Sequence, residues 1–432
     1  MQEAGFAVRP FHEPADIYVI NTCSVTDHAD KKCKKVVRQA LRTSPAARVV
    51  VVGCYAQLKP EEIVAIPGVD LVLGAAEKFE LAKHILQLTE QPKVTQQGKY
   101  IASEIETVNI FNSAWSFGER TRTFLKVQDG CDYSCAFCTI PLARGNSRSD
   151  TILRVVKNAE EIASQGIKEI VLTGVNIGDF GKRSAATEKE DFFALIRALD
   201  EVEGIERFRI SSIEPNLLNA EIIAFAGRSK KFVPHFHVPL QSGSNKILRL
   251  MRRRYQRELY TDRVNTILNE MPHACIGVDV ITGFPGETHE DFLDTFHFLN
   301  ALPIAYLHVF TYSERANTDA IAMENAVPQK IREERTAQMR NLSEKKRRHF
   351  YQQFIHTIRP VLFEAETSGA WMYGFTDNYI KVKMAYDPLL VNEVVPVLLE
   401  NIDADGDMIG LPSMELQPSS IHSTHSFTHS HE

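Results

Sequence analysis

The chain has 432 residues, 44% of them hydrophobic, enough to build full cores in roughly two to four domains. No apolar run reaches the ~18 residues of a membrane-spanning helix, and Met1-Gln-Glu-Ala-Gly5 lacks the basic-then-apolar start of a secretory leader, so a cytoplasmic location without a membrane partner is expected. Seven cysteines, an odd number in so long a chain, exclude a disulfide framework in favour of reduced thiols and metal binding, and the net charge of -6 gives a nucleic-acid role no help from the overall balance.

Up to about residue 90 apolar strands alternate with helical stretches. Residues 17–20, 48–52 and 69–73 read as short buried strands, and 29–41 and 79–88 as helices, the rhythm of a parallel α/β sheet. Cys23 directly follows the first strand and Cys54 the second. Ligands gather outside the carboxyl ends of such strands, so these two thiols can converge although far apart in sequence. Cys33 falls among lysines on the following helix and reads as a bystander. Gln2-Glu-Ala-Gly5 has the pattern of a helix end, so the chain is expected to begin inside a β-α unit. Residues 91–120, polar and without period, read as a linker.

A strand at 123–128 then leads into Gln128-Asp-Gly-Cys131-Asp-Tyr-Ser-Cys135-Ala-Phe-Cys138, which continues to Arg144. Thiolates are the metal-binding form of cysteine, and three on one short loop can close around an iron-sulfur cluster while leaving one iron without a protein ligand. A ferredoxin-like carrier would bring a fourth cysteine close by, but the next is Cys275, inside an apolar run. Structural zinc also wants four closed ligands, and remains the alternative together with three unrelated buried thiols.

Strand-then-helix units follow, with strands at 168–173, 206–211, 234–239, 275–282 and 305–310. They predict a partial barrel of six units, (β/α)6, short of the eight of a full one. Polar and glycine-rich segments come after the strand ends: Thr173-Gly174-Val-Asn176, Ser211-Ser-Ile-Glu214, Pro239-Leu-Gln241-Ser-Gly243, Thr282-Gly283-Phe-Pro-Gly286-Glu287 and Phe310-Thr-Tyr312. Their common placement predicts one shared cavity. A helical stretch at 331–354 leads to four short strands between 361 and 401, which predict a small antiparallel barrel over 355–418. The tail, 419–432, holds His422, His425, His429 and His431 and reads as disordered. Basic residues gather at Lys31–Lys35, Lys246–Arg257 and Lys345–Arg348, each either a solvated face or an RNA contact.

The C-x-x-x-C-x-x-C spacing with Phe137 before its last cysteine resembles the radical S-adenosylmethionine (SAM) enzymes. With Asn-Thr-Cys23, Gly-Cys54-Tyr-Ala-Gln, Pro141-Leu-Ala-Arg144-Gly, Gln241-Ser-Gly-Ser, Gly283-Phe-Pro-Gly-Glu287 and Gly374-Phe-Thr-Asp-Asn-Tyr379 in this order, the chain resembles the methylthiotransferases of that superfamily over all but its tail. It is most similar to those that act on N6-threonylcarbamoyladenosine at position 37 of tRNA. The resemblance implies an N-terminal methylthiotransferase domain over 1–95, a radical SAM partial barrel over 115–330 and a TRAM-type RNA-binding barrel. It implies two 4Fe-4S clusters, one held by Cys131, Cys135 and Cys138, the other by Cys23, Cys54 and a family cysteine that would precede Met1. It further implies SAM as radical source and methyl donor, with Phe137, Gly174, Glu214, Gln241 and Phe310 as SAM contacts and Arg144, Tyr379 and Lys381 as RNA contacts. The implied partners are the tRNA anticodon stem-loop, a flavodoxin or ferredoxin electron donor and a sulfur donor. Another modified adenosine or a ribosomal protein as substrate, SAM cleavage without sulfur insertion, plain electron transfer and plain RNA binding are the competing readings.

Overall fold

The computed structural model describes residues 1, 4–23, 27–90, 93, 98–116 and 121–413. The His-rich tail and residues 2 and 3 of the helix end expected at the start lie outside the described residues. Contacts divide the chain into two units, Met1–Phe350 and Tyr351–Glu432.

The first apolar runs become strands of one sheet: 48–53 and 71–73 are buried almost throughout, as strands covered on both faces must be, while 17–22 alternates buried and exposed residues. They form β1 (Ile17–Thr22), β2 (Arg48–Gly53) and β3 (Leu71–Leu73), separated by α1 (Asp27–Thr43), α2 (Cys54–Leu58) and α3 (Pro60–Val64) and followed by α4 (Leu81–Thr89) and β4 (Lys99–Ile101). All pairings in the β1-β2-β3-β4 sheet are parallel. Val49 and Val51 pack with Tyr55 and Ile63 on one face, while Val50, Val52, Leu71 and Leu73 pack with Ile85 on the other. Cys33 lies in the first of these cores.

Two strands correct the expectation of a structureless linker at 91–120: β4, which extends the first sheet, and β5 (Ala114–Trp115), which pairs antiparallel with β6 (Arg122–Lys126). β4 is exposed along its length, so no buried period marks it in the sequence.

Beyond β6 come β7 (Gln128–Asp129), α5 (Ile140–Arg144) and β8 (Arg148–Ser149), then α6 (Ile152–Ser164), β9 (Glu169–Thr173), α7 (Phe192–Asp200), β10 (Arg207–Ile210), α8 (Ala220–Arg228) and β11 (His235–His237). The unit continues through α9 (Asn245–Leu250), α10 (Arg257–Glu270), β12 (Cys275–Thr282), α11 (His289–Ala301), β13 (Tyr306–Thr311) and α12 (Gln329–Gln352). Sheet order is β5-β6-β9-β10 and β11-β12-β13, and parallel bridges Phe208↔Phe232 and Ser212↔His237 join the two into a partial barrel. Side chains alternate across each strand. Leu125, Ile170, Leu172, Phe208, Phe236, Ile276, Val278 and Val280 belong to one apolar core with the helices. The alternate positions, Glu169, Arg209, His235, Asp279 and His308, turn the other way, into the lumen. Thr151, Asp191, Asn219 and Thr288 cap α6, α7, α8 and α11 through their side chains, each a contribution of about 1 kcal/mol. Among the described residues no helix is long and apolar enough to cross a membrane.

In the second unit β14 (Ile358–Ser368), β15 (Trp371–Thr376), β16 (Lys381–Ala385), β17 (Val394–Ile402) and β18 (Met408–Pro412) close a barrel in the order β14-β15-β16-β18-β17. Every pairing is antiparallel except β16 with β18. β18 is a closing strand that the sequence hides, since its glycine and proline argue against a strand.

Candidate functional site

The stretch Cys131–Arg144 is tied down at both ends by the short antiparallel ladder of β7 with β8. Gly130 makes the entry turn at φ 71, where a Cβ would stand 2.0 Å from the Asn146 carbonyl oxygen, so only glycine fits. Backbone bonds Cys131 N to Gly145 O (3.0 Å) and Ala136 N to Met251 O (3.1 Å) fix the loop against its own exit and against the turn after α9. Three half-buried thiols thus share one neighbourhood, each within electrostatic reach of another. Burial pushes the Cys131 thiol up to about 12 and Cys138 to about 11, and raises Cys135 as well. Donors oppose this: Tyr133 N to Cys131 Sγ (3.4 Å), Ile140 N to Cys138 Sγ (3.4 Å) and Arg253 Nη1 to Cys135 Sγ (3.1 Å). A buried thiol with an aimed donor ionises in the presence of metal rather than alone.

Arg253 also binds Glu214 through Nη2 and lies over the Tyr255 ring at 5.1 Å. Arg254 covers the Tyr133 ring at 3.9 Å and donates to Asp132 O at 3.1 Å, while Arg252 pairs with Asp319. The basic run around them is therefore not simply a solvated face, because two of its arginines close over the cysteine loop. Glu214, expected at SAM, is engaged by Arg253. Burial raises its carboxyl more than the guanidinium lowers it. The sequence signal for Arg253 was three arginines in a row, which does not say which one turns inward.

Phe137 packs edge-on against Phe284 (6.3 Å between centroids) in an apolar cluster with Ile247, Ile281 and Tyr312. Gly174 lies where a Cβ would meet Gln128 Oε1 at 2.8 Å, and the same oxygen accepts from the backbone N–H of Val175 and Asn176 (both 2.9 Å). Asn176 is 2% exposed, yet neither side-chain Oδ1 nor Nδ2 has a partner among the described residues. Asp179 Oδ2, Asn216 Oδ1 and Tyr312 Oη are likewise unsatisfied. Gln241 has φ 73 and is tied through its backbone to Asp279 O and Ile281 N. Phe310, on β13, is 47% exposed. Buried polar atoms without partners are costly unless something else binds there.

Cys23 and Cys54 follow paired residues of neighbouring strands, Thr22↔Gly53. Gly53 has φ 104, and a Cβ there would stand 2.2 Å from Thr22 O, which shows how tightly the two strand ends approach. Cys23 is exposed and Cys54 half-buried. Arg144, expected at RNA, instead donates from Nε to Cys54 Sγ (3.3 Å) and from Nη1 to Asp129 Oδ1 (3.1 Å), linking the first sheet to the cysteine loop. Burial raises the Asp129 carboxyl, but Arg144, Lys126 and Arg148 around it bring it below the usual range.

In the second unit Tyr379, at φ 68, stacks on Phe375 (4.9 Å). Lys381 does not pair with that ring. It lies over Tyr373 at 4.5 Å and bonds Asp407 at 2.9 Å. Trp371, Tyr373 and Phe375 alternate along β15 opposite Lys383 and Lys381 of β16, so rings and cations share one face.

The loop fits a three-thiolate cluster, because each sulfur has a donor that favours its ionised form, and the unpartnered Asn176 amide fits a polar ligand beside it. Among the described residues no three His, Cys, Asp or Glu gather on a single metal ion. The Radical SAM superfamily profile matches residues 125–299, and that of uncharacterized protein family UPF0004 matches residues 1–74. The threonylcarbamoyladenosine tRNA methylthiotransferase MtaB of Bacillus subtilis is 40% identical over 92% of this chain and 88% of its own, and that of Aquifex aeolicus is 39% identical over 88% and 90%. The tRNA-2-methylthio-N(6)-dimethylallyladenosine synthase of Wolinella succinogenes is 32% identical over 92% and 90%. Among solved structures, the radical SAM methyltransferase TsrM of Kitasatospora setae shares the fold, with TM-score 0.56 and 12% identity over 83% of this chain and 69% of that one. The chain belongs to the radical SAM tRNA methylthiotransferases, whose fold implies a 4Fe-4S cluster and SAM.

Proposed function

We propose that this protein inserts a methylthio group at C2 of N6-threonylcarbamoyladenosine beside the anticodon of tRNA. The observation that favours this substrate is that the two relatives at 40% and 39% identity carry it in their names, while those at 30–33% are divided between the threonylcarbamoyl and dimethylallyl nucleosides. When bound, the cluster and SAM together supply a deoxyadenosyl radical, which a C–H bond on an unactivated aromatic ring requires and acid-base catalysis cannot replace.

In this reading Cys131, Cys135 and Cys138 hold the cluster. Arg253 steadies the Cys135 sulfur and at the same time neutralises Glu214. Asn176 and Gly174 line the SAM side, the amide by its free donors and acceptors and the glycine by letting backbone approach. Phe137 and its partner Phe284 keep water from the loop. Cys23 and Cys54 supply ligands to a second, auxiliary cluster, and Arg144 orients Cys54 toward the first. The barrel of the second unit holds RNA through its face of rings and lysines. A flavodoxin or ferredoxin provides electrons, and a separate donor provides sulfur.

The test is to incubate the anaerobically reconstituted protein with SAM and dithionite and, in parallel, tRNA bearing threonylcarbamoyl or dimethylallyl adenosine. Mass spectrometry of the nucleosides should show a methylthio product from the first only. Product from the dimethylallyl tRNA alone would overturn the substrate, and absence of deoxyadenosine would overturn the class.

A further inference from the structure

Two residues below the apolar roof of the barrel, the lumen carries a polar cluster that neither the cysteine loop nor its arginines use. Asp279 on β12 pairs in register with His308 on β13, and the next inward-facing pair toward the loop is Ile281 with Phe310. Ile281 packs in the same cluster as Phe137. At about 3.3 Å per residue, Asp279 therefore lies about 6.6 Å deeper than Ile281 along the strand. His237 at the end of β11 meets Asp279 from the other side, Nε2 to Oδ1 at 2.8 Å, and its ring stands edge-on to His308 at 5.3 Å.

A carboxylate-histidine pair inside a barrel is most often structural, but such a pair is sealed. Here the side chains of His237 and Asp279 keep 19% and 18% exposure, and both His308 beside Asp279 and Phe310 above it are exposed. Asp279 Oδ2 and His237 Nδ1 make no further hydrogen bond among the described residues. The layer beneath is closed, with His235 bonded to Tyr306 and Arg209 to Glu169. The lumen is thus a cup with a polar floor and one exposed aromatic wall.

We propose that His237, Asp279 and His308, flanked by the Phe310 ring, form a binding site for an adenine ring, and that the ring it takes is the target base of the RNA; this rests on the function proposed above. With its N6 carrying the threonylcarbamoyl group, the base keeps one N6–H donor and the N7 acceptor, and the cluster answers with a carboxylate oxygen beside an imidazole N–H. Unpaired bases are recognised in this way, by their edges together with an aromatic face to stack on. Partial desolvation by the lumen wall and the neighbouring His237 lower the pKa of His308 although part of its side chain is exposed, so at neutral pH its imidazole keeps one donor and adds no charge. SAM carries the same adenine chemistry. The SAM side proposed above is built after β9, at Gly174 and Asn176, whereas the cluster stands on β11, β12 and β13, which leaves it to the RNA base, and the experiment separates the two sources.

The reconstituted protein with SAM bound is titrated by fluorescence anisotropy with two anticodon stem-loops, one bearing N6-threonylcarbamoyladenosine and one abasic at that position. The native protein should bind the first on the order of tenfold more tightly, the scale of one stacked base. Asp279→Asn and His308→Gln should lose most of that preference while binding the abasic stem-loop unchanged, and Phe310→Leu, the variant least disruptive to the fold, should lose part of it. SAM affinity, measured separately by equilibrium dialysis, should stay within twofold in Asp279→Asn and His308→Gln. A preference that survives in Asp279→Asn and His308→Gln overturns the site, as does a native protein that does not distinguish the two RNAs. Weakened SAM binding with the RNA preference intact assigns the cluster to the cofactor's adenine and overturns the proposal. Failure to bind either stem-loop would instead count against the RNA-modifying reading itself.

Discussion

Arg253 donates to the Cys135 sulfur at 3.1 Å and binds the carboxylate of Glu214 with the same guanidinium, so one buried cation serves a thiol of the three-cysteine loop and a buried acid together. Its own side chain is 4% exposed. Removing it leaves Glu214 without its counter-charge in a dry site, a loss of about 3–5 kcal/mol for a broken buried pair.

Arg253→Ala should therefore lower the urea midpoint of the metal-free protein, and Arg253→Ala with Glu214→Gln should recover most of the loss because the orphaned charge is gone. A midpoint equal in the single and double variants would show that Glu214 is already neutral beside Arg253.

Cys138→Ala should abolish deoxyadenosine formation and reduce bound iron by about four per chain, since two thiolates do not hold a four-iron centre firmly. The same substitution at Cys275, which lies 2% exposed and is raised further by burial, should leave both unchanged. Chromatographic assay of deoxyadenosine with colorimetric iron analysis reads the difference.

Glu169 sits fully buried at the floor of the lumen, bonded to Arg209 at 2.9 Å. Burial alone would raise its carboxyl, but Arg209, Arg122 and Arg207 outweigh this and hold it below its usual value. A depressed acid contributes stability that is present above its unfolded value of about 4.3 and is lost as pH falls through the folded one. Glu169→Gln should thus destabilise the protein at pH 7 by about 3–5 kcal/mol, and its loss of stability on acidification below about pH 4.3 should be shallower than in the native chain. Parallel acid-limb slopes in urea melts of the two proteins would refute the assignment.

On the second unit, Trp371 is 40% exposed with Lys383 over its ring at 4.9 Å. Trp371→Ala should weaken tRNA binding by about 1–3 kcal/mol, the worth of one stacked base. If about four phosphates are contacted, the logarithm of affinity should fall with the logarithm of salt at a slope of roughly -3. The variant should keep that slope, because it removes a ring and not a charge. A filter-binding series across salt concentrations tests both.

The chain's own order of residues settled that three cysteines share one loop. Cys131, Cys135 and Cys138 are so close in sequence that any backbone joining β7 to β8 brings them together, and the apolar runs of β2, β9 and β12 are long enough to announce buried parallel strands. β4 and β18 leave no such mark for the opposite reason: three exposed residues in one case, and a glycine and a proline in the other, carry no period. What surrounds the loop was decided only by tertiary structure. Arg253 reaches Cys135 across 118 positions and Arg144 reaches Cys54 across 90, and nothing local in either segment says which side chain turns inward. His237, Asp279 and His308 stand on three separate strands, and only the parallel pairing of β11, β12 and β13 brings them together, Asp279 level with His308 and His237 one inward-facing position lower. Proximity along the chain is written in the sequence, whereas proximity across it depends on how the strands align, and that is a property of the whole barrel.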